Sequence, residues 1–242
     1  MKQIVLSGDC LSGNDIVIND IKVYHHLVDV RRVKIGDTLN VLLKGEGVRR
    51  AKILSIDNRI VRLSTLKVEK VERRDFRISM FISNLKSRKL DLCLRQVVEI
   101  GVDQINIVNA DNSVSRIDVD DLKFKSSRFS RIVDEALKQS GNVHVPTINF
   151  YKNFFSVPYS SAVDYYVAYR GGVVLSCGDG LGTANKIGIL IGPEGCFSTA
   201  EINLFKDLDF KFVSFNTPIL RSDTAIVYSL ICFKLLLEGN GG

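Results

Sequence analysis

The sequence predicts an α/β protein of two domains, in which a small N-terminal β-barrel precedes a larger domain with a mainly parallel sheet. Three observations support this: an uneven distribution of charge, a change of hydrophobic period near residue 72, and an alternation of strands and helices beyond it. The net charge of +6 arises in residues 1–74, which contain 15 Lys and Arg against 9 Asp and Glu. The remaining residues, 75–242, contain 18 of each kind. We therefore place the domains at 1–72 and 73–242.

The N-terminal segment consists of short runs rich in Val, Ile and Leu, separated by turn signals such as Ser-Gly-Asp and Lys-Gly-Glu-Gly. The predicted strands are Gln3–Leu6, Asp15–Ile18, Leu39–Leu43, Val48–Ile56 and Ile60–Leu66. Strands of this number and spacing are typical of a small barrel. The basic residues that cluster in it are Arg31, Arg32, Lys34, Arg49, Arg50 and Lys52. Such a basic face often binds nucleic acid; a basic surface without any partner is the alternative.

Beyond residue 75, apolar strands alternate with amphipathic helices, which indicates a parallel sheet covered on both faces. The predicted strands are Ile78–Ile82, Gln104–Val108, Val173–Ser176, Ile187–Ile191 and Lys211–Phe215. Helices are predicted over Lys86–Ile100, around Phe129–Leu137, and from Ser198 and Ser222 onward. Ligands of such sheets bind at the carboxyl ends of the strands, so the loops that follow the strands are the candidate site.

The overall composition, with 45% apolar and 25% charged residues, excludes a disordered or collagen-like protein. Five scattered cysteines without a C-x-x-C motif, and only three histidines, argue against a metal site or a disulfide framework. The first residues lack the apolar core of a signal peptide. The most apolar stretch, Ala225–Leu237, is too short to span a membrane. We therefore expect a protein of the reducing cytoplasm, with Cys10, Cys93, Cys177, Cys196 and Cys232 as thiols.

The loop after Ile187–Ile191 has the composition of a binding loop. In Gly192-Pro-Glu-Gly195 two glycines flank a carboxylate, and Ser198 with Glu201 then forms a capping box for a helix. Glycines allow a ligand to approach the backbone closely, although a well-capped strand-to-helix loop explains part of the pattern. The preceding loop, Ser176–Gly182, matches neither the dinucleotide fingerprint nor the P-loop and is by itself typical of a flexible connection.

The last of these loops, Phe215–Ala225, brings four polar residues to the start of a strongly apolar helix. They are Arg221, Ser222, Asp223 and Thr224. Either these residues form a site, or Ser222 or Asp223 caps the helix while Arg221 lies in solvent, and the two roles can coexist.

The motifs of the last two loops resemble those of the small-subunit ribosomal RNA methyltransferase E family. They are Ile191-Gly-Pro-Glu-Gly-Cys-Phe-Ser-Thr-Ala-Glu201 and Ile219-Leu-Arg-Ser-Asp-Thr-Ala225, supported by matches at His26–Arg32, Glu99–Val102 and Ala136–Asn142. The resemblance covers almost the whole chain. It implies an enzyme that uses S-adenosylmethionine to methylate N3 of a uridine in 16S ribosomal RNA of the 30S subunit. It also implies a PUA-like barrel, a SPOUT-class α/β domain with a C-terminal trefoil knot, and a homodimer.

By this resemblance, the cofactor lies among the three C-terminal loops and is held largely by backbone groups. The implied cofactor residues are Leu175, Ser176, Ile191, Gly192, Pro193, Gly195, Phe215, Ile219 and Leu220. Because N3 of uridine carries a proton at neutral pH and lies on the pairing edge, the base must be unpaired and the proton removed. Arg221 is the candidate that stabilises the uridine oxyanion or a phosphate. Asp223 or Glu194 is the candidate that orients Arg221 or accepts the proton.

The sequence departs from the family pattern at several positions. Cys196 and Asn216 replace glycines, Pro218 replaces an arginine, and Asp223 replaces a glutamate. Four further positions lack the family's charged side chain: Gln96, Asn112 and Asn142 are uncharged there, and Lys138 replaces a glutamate. These changes motivate two alternatives, an RNA-binding homologue with weakened catalysis and a SPOUT methyltransferase acting on another RNA. They also predict that the first domain carries more of the RNA contact.

Overall fold

The computed structural model describes residues 3–71, 74–117, 122–176, 181 and 185–239, with the backbone alone at 122–125. The chain divides into two compact units, Met1–Arg73 with Leu137–Val145, and Arg74–Ala136 with Pro146–Gly242. The first unit thus includes a short segment from much later in the chain. The buried Gln3 side chain explains why, since its Nε2 donates to the carbonyl oxygens of Leu137 at 2.9 Å and Asn142 at 2.7 Å.

The first unit is a six-stranded mixed sheet. Its elements are β1 (Ile4–Ser7), β2 (Leu11–Ser12), β3 (Asp15–Ile18), α1 (Ile21–His25), β4 (Thr38–Lys44), β5 (Gly47–Asp57) and β6 (Ile60–Glu69). The strand order is β1-β4-β5-β6-β3-β2, with β1 parallel to β4 and the other neighbours antiparallel. Ile4 at one edge and Ile16 near the other belong to the same buried cluster, so the sheet curls around one core. The predicted strands of this unit are confirmed.

Helix α1 and the π-helical turn His26–Val30 that continues it are absent from the sequence prediction. Asp20 caps α1 by accepting from the backbone N–H groups of Lys22 and Val23. The segment is short and places only Leu27 fully in the core, so it lacks the repeated apolar spacing that identifies longer helices.

The second unit is built on a six-stranded sheet in which all neighbouring strands are parallel. Its elements are β7 (Arg77–Ser83), α2 (Ser87–Ile100), β8 (Gln104–Val108), α3 (Leu122–Ser140, whose last residues belong to the first unit), β9 (Thr147–Tyr151), β10 (Asp164–Val174), β11 (Lys186–Ile191), α4 (Thr199–Asp207), β12 (Lys211–Ser214) and α5 (Ser222–Gly239). The strand order is β12-β10-β11-β7-β8-β9. The predicted parallel sheet is therefore confirmed.

Both faces of this sheet are covered. Successive residues of a strand point to opposite faces, and on β10 the ring of Tyr166 packs against Phe233 of α5 while Tyr165 stacks on Phe210 after α4. Phe205 of α4 belongs to the same buried aromatic cluster as Tyr165. None of the helices that the structure describes is long and apolar enough to cross a membrane.

The predicted strand Val173–Ser176 is wrong in extent, because β10 runs from Asp164 to Val174. Its Gly171-Gly172 pair lies inside the strand, where the pairing with β12 shifts register. A Cβ on Gly172 would lie 2.5 Å from the backbone nitrogen of Val213, so only glycine permits this approach. Strand β9 was also missed.

Candidate functional site

Three loops leave the second sheet at one edge. Strands β12, β10 and β11 are adjacent and parallel, so the residues that follow them emerge side by side. We call residues 192–198 the β11 loop and residues 215–221 the β12 loop. Of the loop after β10, residues 177–180, which include Cys177, and 182–184 lie outside the described residues; Leu175 is half-buried and donates its N–H to Ser214 O at 2.8 Å.

The β11 loop is held by side chains from neighbouring strands. At its entrance the buried Ser83 at the end of β7 donates to Ile191 O at 2.8 Å. Asn112, which follows β8, donates through Nδ2 to Gly195 O at 3.2 Å and Cys196 O at 3.1 Å. A tight turn is closed by the Cys196 N–H, which donates to Pro193 O at 3.0 Å. The position of Asn112 was noted in the sequence as a departure from the family, but its contact with this loop was not foreseen.

The predicted capping box at the end of the β11 loop is confirmed. The Ser198 side chain accepts from Glu201 N, and Glu201 Oε2 accepts from Ser198 N at 2.8 Å. The fully buried Glu201 also accepts from the backbone N–H of Asp111 at 2.9 Å through Oε1, and Ser198 Oγ donates to Asp111 Oδ2 at 2.6 Å. Burial raises the pKa of Glu201, although these hydrogen bonds oppose the shift.

The glycines of the β11 loop are closely packed against other residues of the protein itself. A Cβ on Gly192 would lie 3.1 Å from the Phe197 ring, and one on Gly195 would lie 3.1 Å from Asn112 Cβ. The two glycines therefore do not by themselves indicate a ligand. Cys196 has a φ of 60°, a left-handed conformation that glycine adopts with less strain.

Glu194 at the tip of the β11 loop forms an ion pair with Lys89 of α2. The hydrogen bond from Lys89 lowers the pKa of Glu194, and the same bond raises the pKa of Lys89. Lys89 was not singled out in the sequence. The available signal is that Lys86, Arg88 and Lys89 occupy the start of α2, where positive charge opposes the helix dipole.

The β12 loop is held mainly by local contacts. Thr217 N donates to Phe215 O at 2.7 Å, and the Phe215 ring packs edge-on against Tyr228 of α5 at 5.3 Å. Ile219 is 76% exposed, and Leu220 is half-buried. Arg221 is exposed, and its carbonyl accepts the first helical N–H, that of Ala225, at 2.8 Å.

Helix α5 begins at Ser222, so Ser222 and Asp223 lie in its first turn rather than at the capping position before it. The Oδ1 atom of Asp223 is buried and has no hydrogen-bond partner among the described residues. Its charge acts on α2: burial, followed by the proximity of Asp223, raises the pKa of the Cys93 thiol to about 12. A buried carboxylate oxygen without a hydrogen-bond partner among the described residues requires an explanation.

The six basic residues predicted for RNA contact lie in the first unit at two places. Arg31, Arg32 and Lys34 follow the π-helical turn, and Arg32 has a φ of 53°. On β5, Arg50 and Lys52 are exposed, and Arg50 lies opposite Lys67 of β6. Arg49 is half-buried, with its Nε inaccessible to solvent. Within the described part of the chain, no group of three or more His, Cys, Asp or Glu side chains could hold a metal ion.

Comparison with known proteins identifies both units. Residues 72–234 match the family described as RNA methyltransferase domain, and residues 18–66 match the RNA methyltransferase PUA domain. The chain is 58% identical over 243 residues to ribosomal RNA small subunit methyltransferase E 2 of Borreliella burgdorferi, with all of both chains covered. It is 25% identical to ribosomal RNA small subunit methyltransferase E of Bacillus subtilis, with 88% of each covered.

The fold also matches solved structures over nearly their whole length. A ribosomal RNA small subunit methyltransferase E from Neisseria gonorrhoeae, bound to S-adenosyl methionine, aligns with a TM-score of 0.84 at 21% identity over 98% of both chains. A probable rRNA-methyltransferase from Porphyromonas gingivalis aligns with a TM-score of 0.85 at 24% identity, over 99% of this chain and all of that one. With its PUA domain, its RNA methyltransferase domain and its 58% identity to a named relative, the chain belongs to the ribosomal RNA small subunit methyltransferase E family.

Proposed function

We propose that the protein uses S-adenosylmethionine to methylate N3 of a uridine in 16S ribosomal RNA. The observation that carries this proposal is that the adjacent parallel strands β12, β10 and β11 end at one edge of the sheet, and that Asp223 Oδ1 at the start of α5 has no hydrogen-bond partner among the described residues. Membership in the family supports the reaction type. The choice of a uridine in 16S ribosomal RNA and of its N3 atom rests on the motifs of the β11 and β12 loops.

The residues at this edge suit such a cofactor. Leu175, Phe215 and Leu220 are half-buried and Ile219 is exposed, so apolar surface is available for an adenine ring and a methionine chain. The backbone groups that bind the cofactor, and the shape of the site around it, would come from Ser176, Ile191, Gly192, Pro193 and Gly195. When bound, the cofactor supplies a methyl group on a cationic sulfur.

Arg221 would stabilise the negative charge that develops on the uridine when its N3 proton is removed. Its guanidinium is exposed beside the start of α5 and carries its charge at every physiological pH. Stabilisation of a developing oxyanion by a positioned cation or donor lowers the barrier by about 3 kcal/mol in typical enzymes. The remaining task of the chain is to hold an unpaired base in line with the methyl group.

The first domain, residues 1–72, would bind the RNA backbone, and residues 73–242 would carry out methyl transfer. The exposed Arg50 and Lys52 of β5, with Lys67 alongside, support this division. Replacing Arg50 and Lys52 with Gln should weaken RNA binding and reduce its salt dependence by about one to two counterions, while cofactor affinity stays unchanged. Replacing the exposed Arg59 at the β5–β6 turn is the matched control for charge loss. Unchanged RNA affinity in the double variant would count against the division.

The proposal includes a homodimer that acts on the 30S subunit in the cytoplasm. Tyr228, Ile231 and Leu235 repeat at i, i+3 and i+7 along α5 and are 37%, 42% and 61% exposed, which supports an interface on this helix. A trefoil knot formed by the C-terminal loops is also part of the proposal, supported by the adjacency of β12, β10 and β11. Light scattering that gives a single 27.0 kDa species at micromolar concentration would contradict the dimer.

The deciding experiment combines transfer and mapping. Purified protein is incubated with labelled S-adenosylmethionine and 30S subunits from a strain that lacks the modification, and the methylated nucleotide is identified by mass spectrometry. The expected product is one N3-methyluridine in 16S RNA. If an active relative transfers methyl groups in the same assay and this protein does not, the protein is an RNA-binding homologue. If the methyl group is found on another RNA, that RNA is the substrate instead of 16S RNA.

A further inference from the structure

The N-terminal end of α2 is positively charged, which is unfavourable for a helix. Lys86, Arg88 and Lys89 fall at its N-terminal end, and its first turn has no acidic residue. Positive charges at this end of a helix oppose the helix dipole. Because these positive charges are unfavourable for the helix itself, we expect them to interact with groups outside the helix.

Lys89 lies among the charged groups of the candidate site. It pairs with Glu194 of the β11 loop, and Asp223 and Arg221 also act on it electrostatically. Lys89 thus interacts with both of the carboxylates that the motifs offer as proton acceptors. The two carboxylates, Glu194 and Asp223, differ in their surroundings.

Glu194 is exposed and engaged by a cation, so its ionised form is favoured and it is a weak base. Asp223 is half-buried in the first turn of α5, and its Oδ1 atom is inaccessible to solvent and has no hydrogen-bond partner among the described residues. The charged or titratable groups that act with it are Lys89 and Cys93 of α2, Glu194 of the β11 loop, and Arg221 at the start of its own helix. The Oδ1 atom of Asp223 therefore has no hydrogen bond among the described residues, whereas the Glu194 carboxylate is already paired with Lys89.

We propose that Asp223 is the catalytic residue that accepts the N3 proton, and that Lys89 is a positioning residue that fixes Glu194 and the tip of the β11 loop. This inference rests on the proposed function. The N3–H bond breaks and its proton passes to an Asp223 carboxylate oxygen. The N3 electron pair forms the bond to the methyl carbon, and the sulfur–carbon electron pair remains on sulfur, which becomes a neutral thioether.

The positioning role is tested without turnover, by the affinity for S-adenosylmethionine measured by calorimetry. Lys89→Gln and Glu194→Gln should each weaken binding by about three- to tenfold, and the double variant should be no weaker than either single variant because the two residues act as a pair. Lys89→Arg, which keeps the charge, should restore the wild-type affinity. Additive losses, or no loss in either single variant, would overturn the positioning role.

The proton acceptor is tested by single-turnover methyl transfer between about pH 3.5 and pH 9, a range that includes the titration of carboxyl groups. Asp223→Asn should slow transfer by about 10²- to 10⁴-fold and remove the acidic limb of the profile. Asp223→Glu, which keeps a carboxylate, and Glu194→Gln should both retain that limb and lose less than about tenfold. Carboxyl carbon NMR of the cofactor-free protein gives a second readout: Lys89→Gln should move the pKa of Glu194 upward, and Lys89→Arg should not.

An acidic limb that persists in Asp223→Asn, or that disappears in Glu194→Gln, would overturn the assignment of the acceptor. Thermal melting shows whether Asp223→Asn remains folded, and Asp223→Glu provides the test if it does not. Failure of the wild-type protein to transfer methyl groups to RNA would instead overturn the proposed function. The two failures are therefore separate results.

Discussion

The β11 loop and the β12 loop leave the same edge of the same sheet, but they are held in different ways. Side chains from β7, from the segment after β8 and from α2 fix the β11 loop at Ile191, Gly195, Cys196 and Glu194. The β12 loop has a short internal turn, one ring contact with α5, and the widely exposed Ile219. One wall of the candidate site is thus held by contacts from several elements, whereas the other has exposed side chains, Arg221 and Ile219 among them.

Glu201 gives the largest expected effect on stability. Glu201→Ala should destabilise the second unit by about 3 kcal/mol, because it removes a buried side chain and leaves the N–H groups of Ser198 and Asp111 without acceptors. Amide hydrogen exchange should rise at both N–H groups. Glu201→Gln keeps one acceptor oxygen and should lose about half as much. Equal exchange in Glu201→Ala and the wild type would mean that the β11 loop is not held by this network.

Arg221 should show the opposite behaviour, with a large effect on activity and little on stability. Arg221→Ala should reduce methyl transfer by about 100-fold or more, a loss near 2.7 kcal/mol, since a charge that stabilises the transition state is gone. Stability should change by less than about 0.5 kcal/mol because the side chain is exposed. Arg221→Lys, which keeps the charge without the guanidinium geometry, should fall between. Normal turnover by Arg221→Ala would refute the role.

Two asparagines, one that holds the β11 loop and one within the β12 loop, offer a matched comparison. Asn112→Asp removes the donor to Gly195 O and Cys196 O and places a carboxylate against them, so we expect a loss of about 1 kcal/mol in denaturant unfolding. Asn216→Asp makes the same chemical change at an exposed position of the β12 loop and should cost less than about 0.5 kcal/mol. Equal losses would remove the distinction between the loops.

A small effect, and one of opposite sign, is expected at Cys196. Its left-handed backbone is strained by a side chain, so Cys196→Gly should stabilise the protein by about 0.5 kcal/mol after the greater chain entropy of glycine is counted. Cys196→Ala retains the Cβ and should be nearly neutral. A Cys196→Gly variant that is less stable than Cys196→Ala would show that the thiol contributes contacts that outweigh the strain.

Local patterns predicted most elements of the second unit. Strands β7, β8, β11 and β12 were placed within one residue at each end, and the Ser198–Glu201 capping box was identified from spacing alone. These features depend on hydrophobic period and side-chain chemistry within a few residues, which a single sequence displays. The prediction of β10 was wrong because the Gly171-Gly172 pair resembles a break in a strand. The strand continues through this pair because β12 lies alongside it.

The sequence by itself determined the family motifs, the basic first third of the chain, and the alternation that makes a parallel sheet. Only the tertiary structure decided which groups meet: Lys89 with Glu194, Asn112 with Gly195, and Gln3 with Leu137. These pairs are separated by 83 residues or more along the chain. Spacing cannot reveal such contacts because the sheet order, and not the chain order, brings strand ends together.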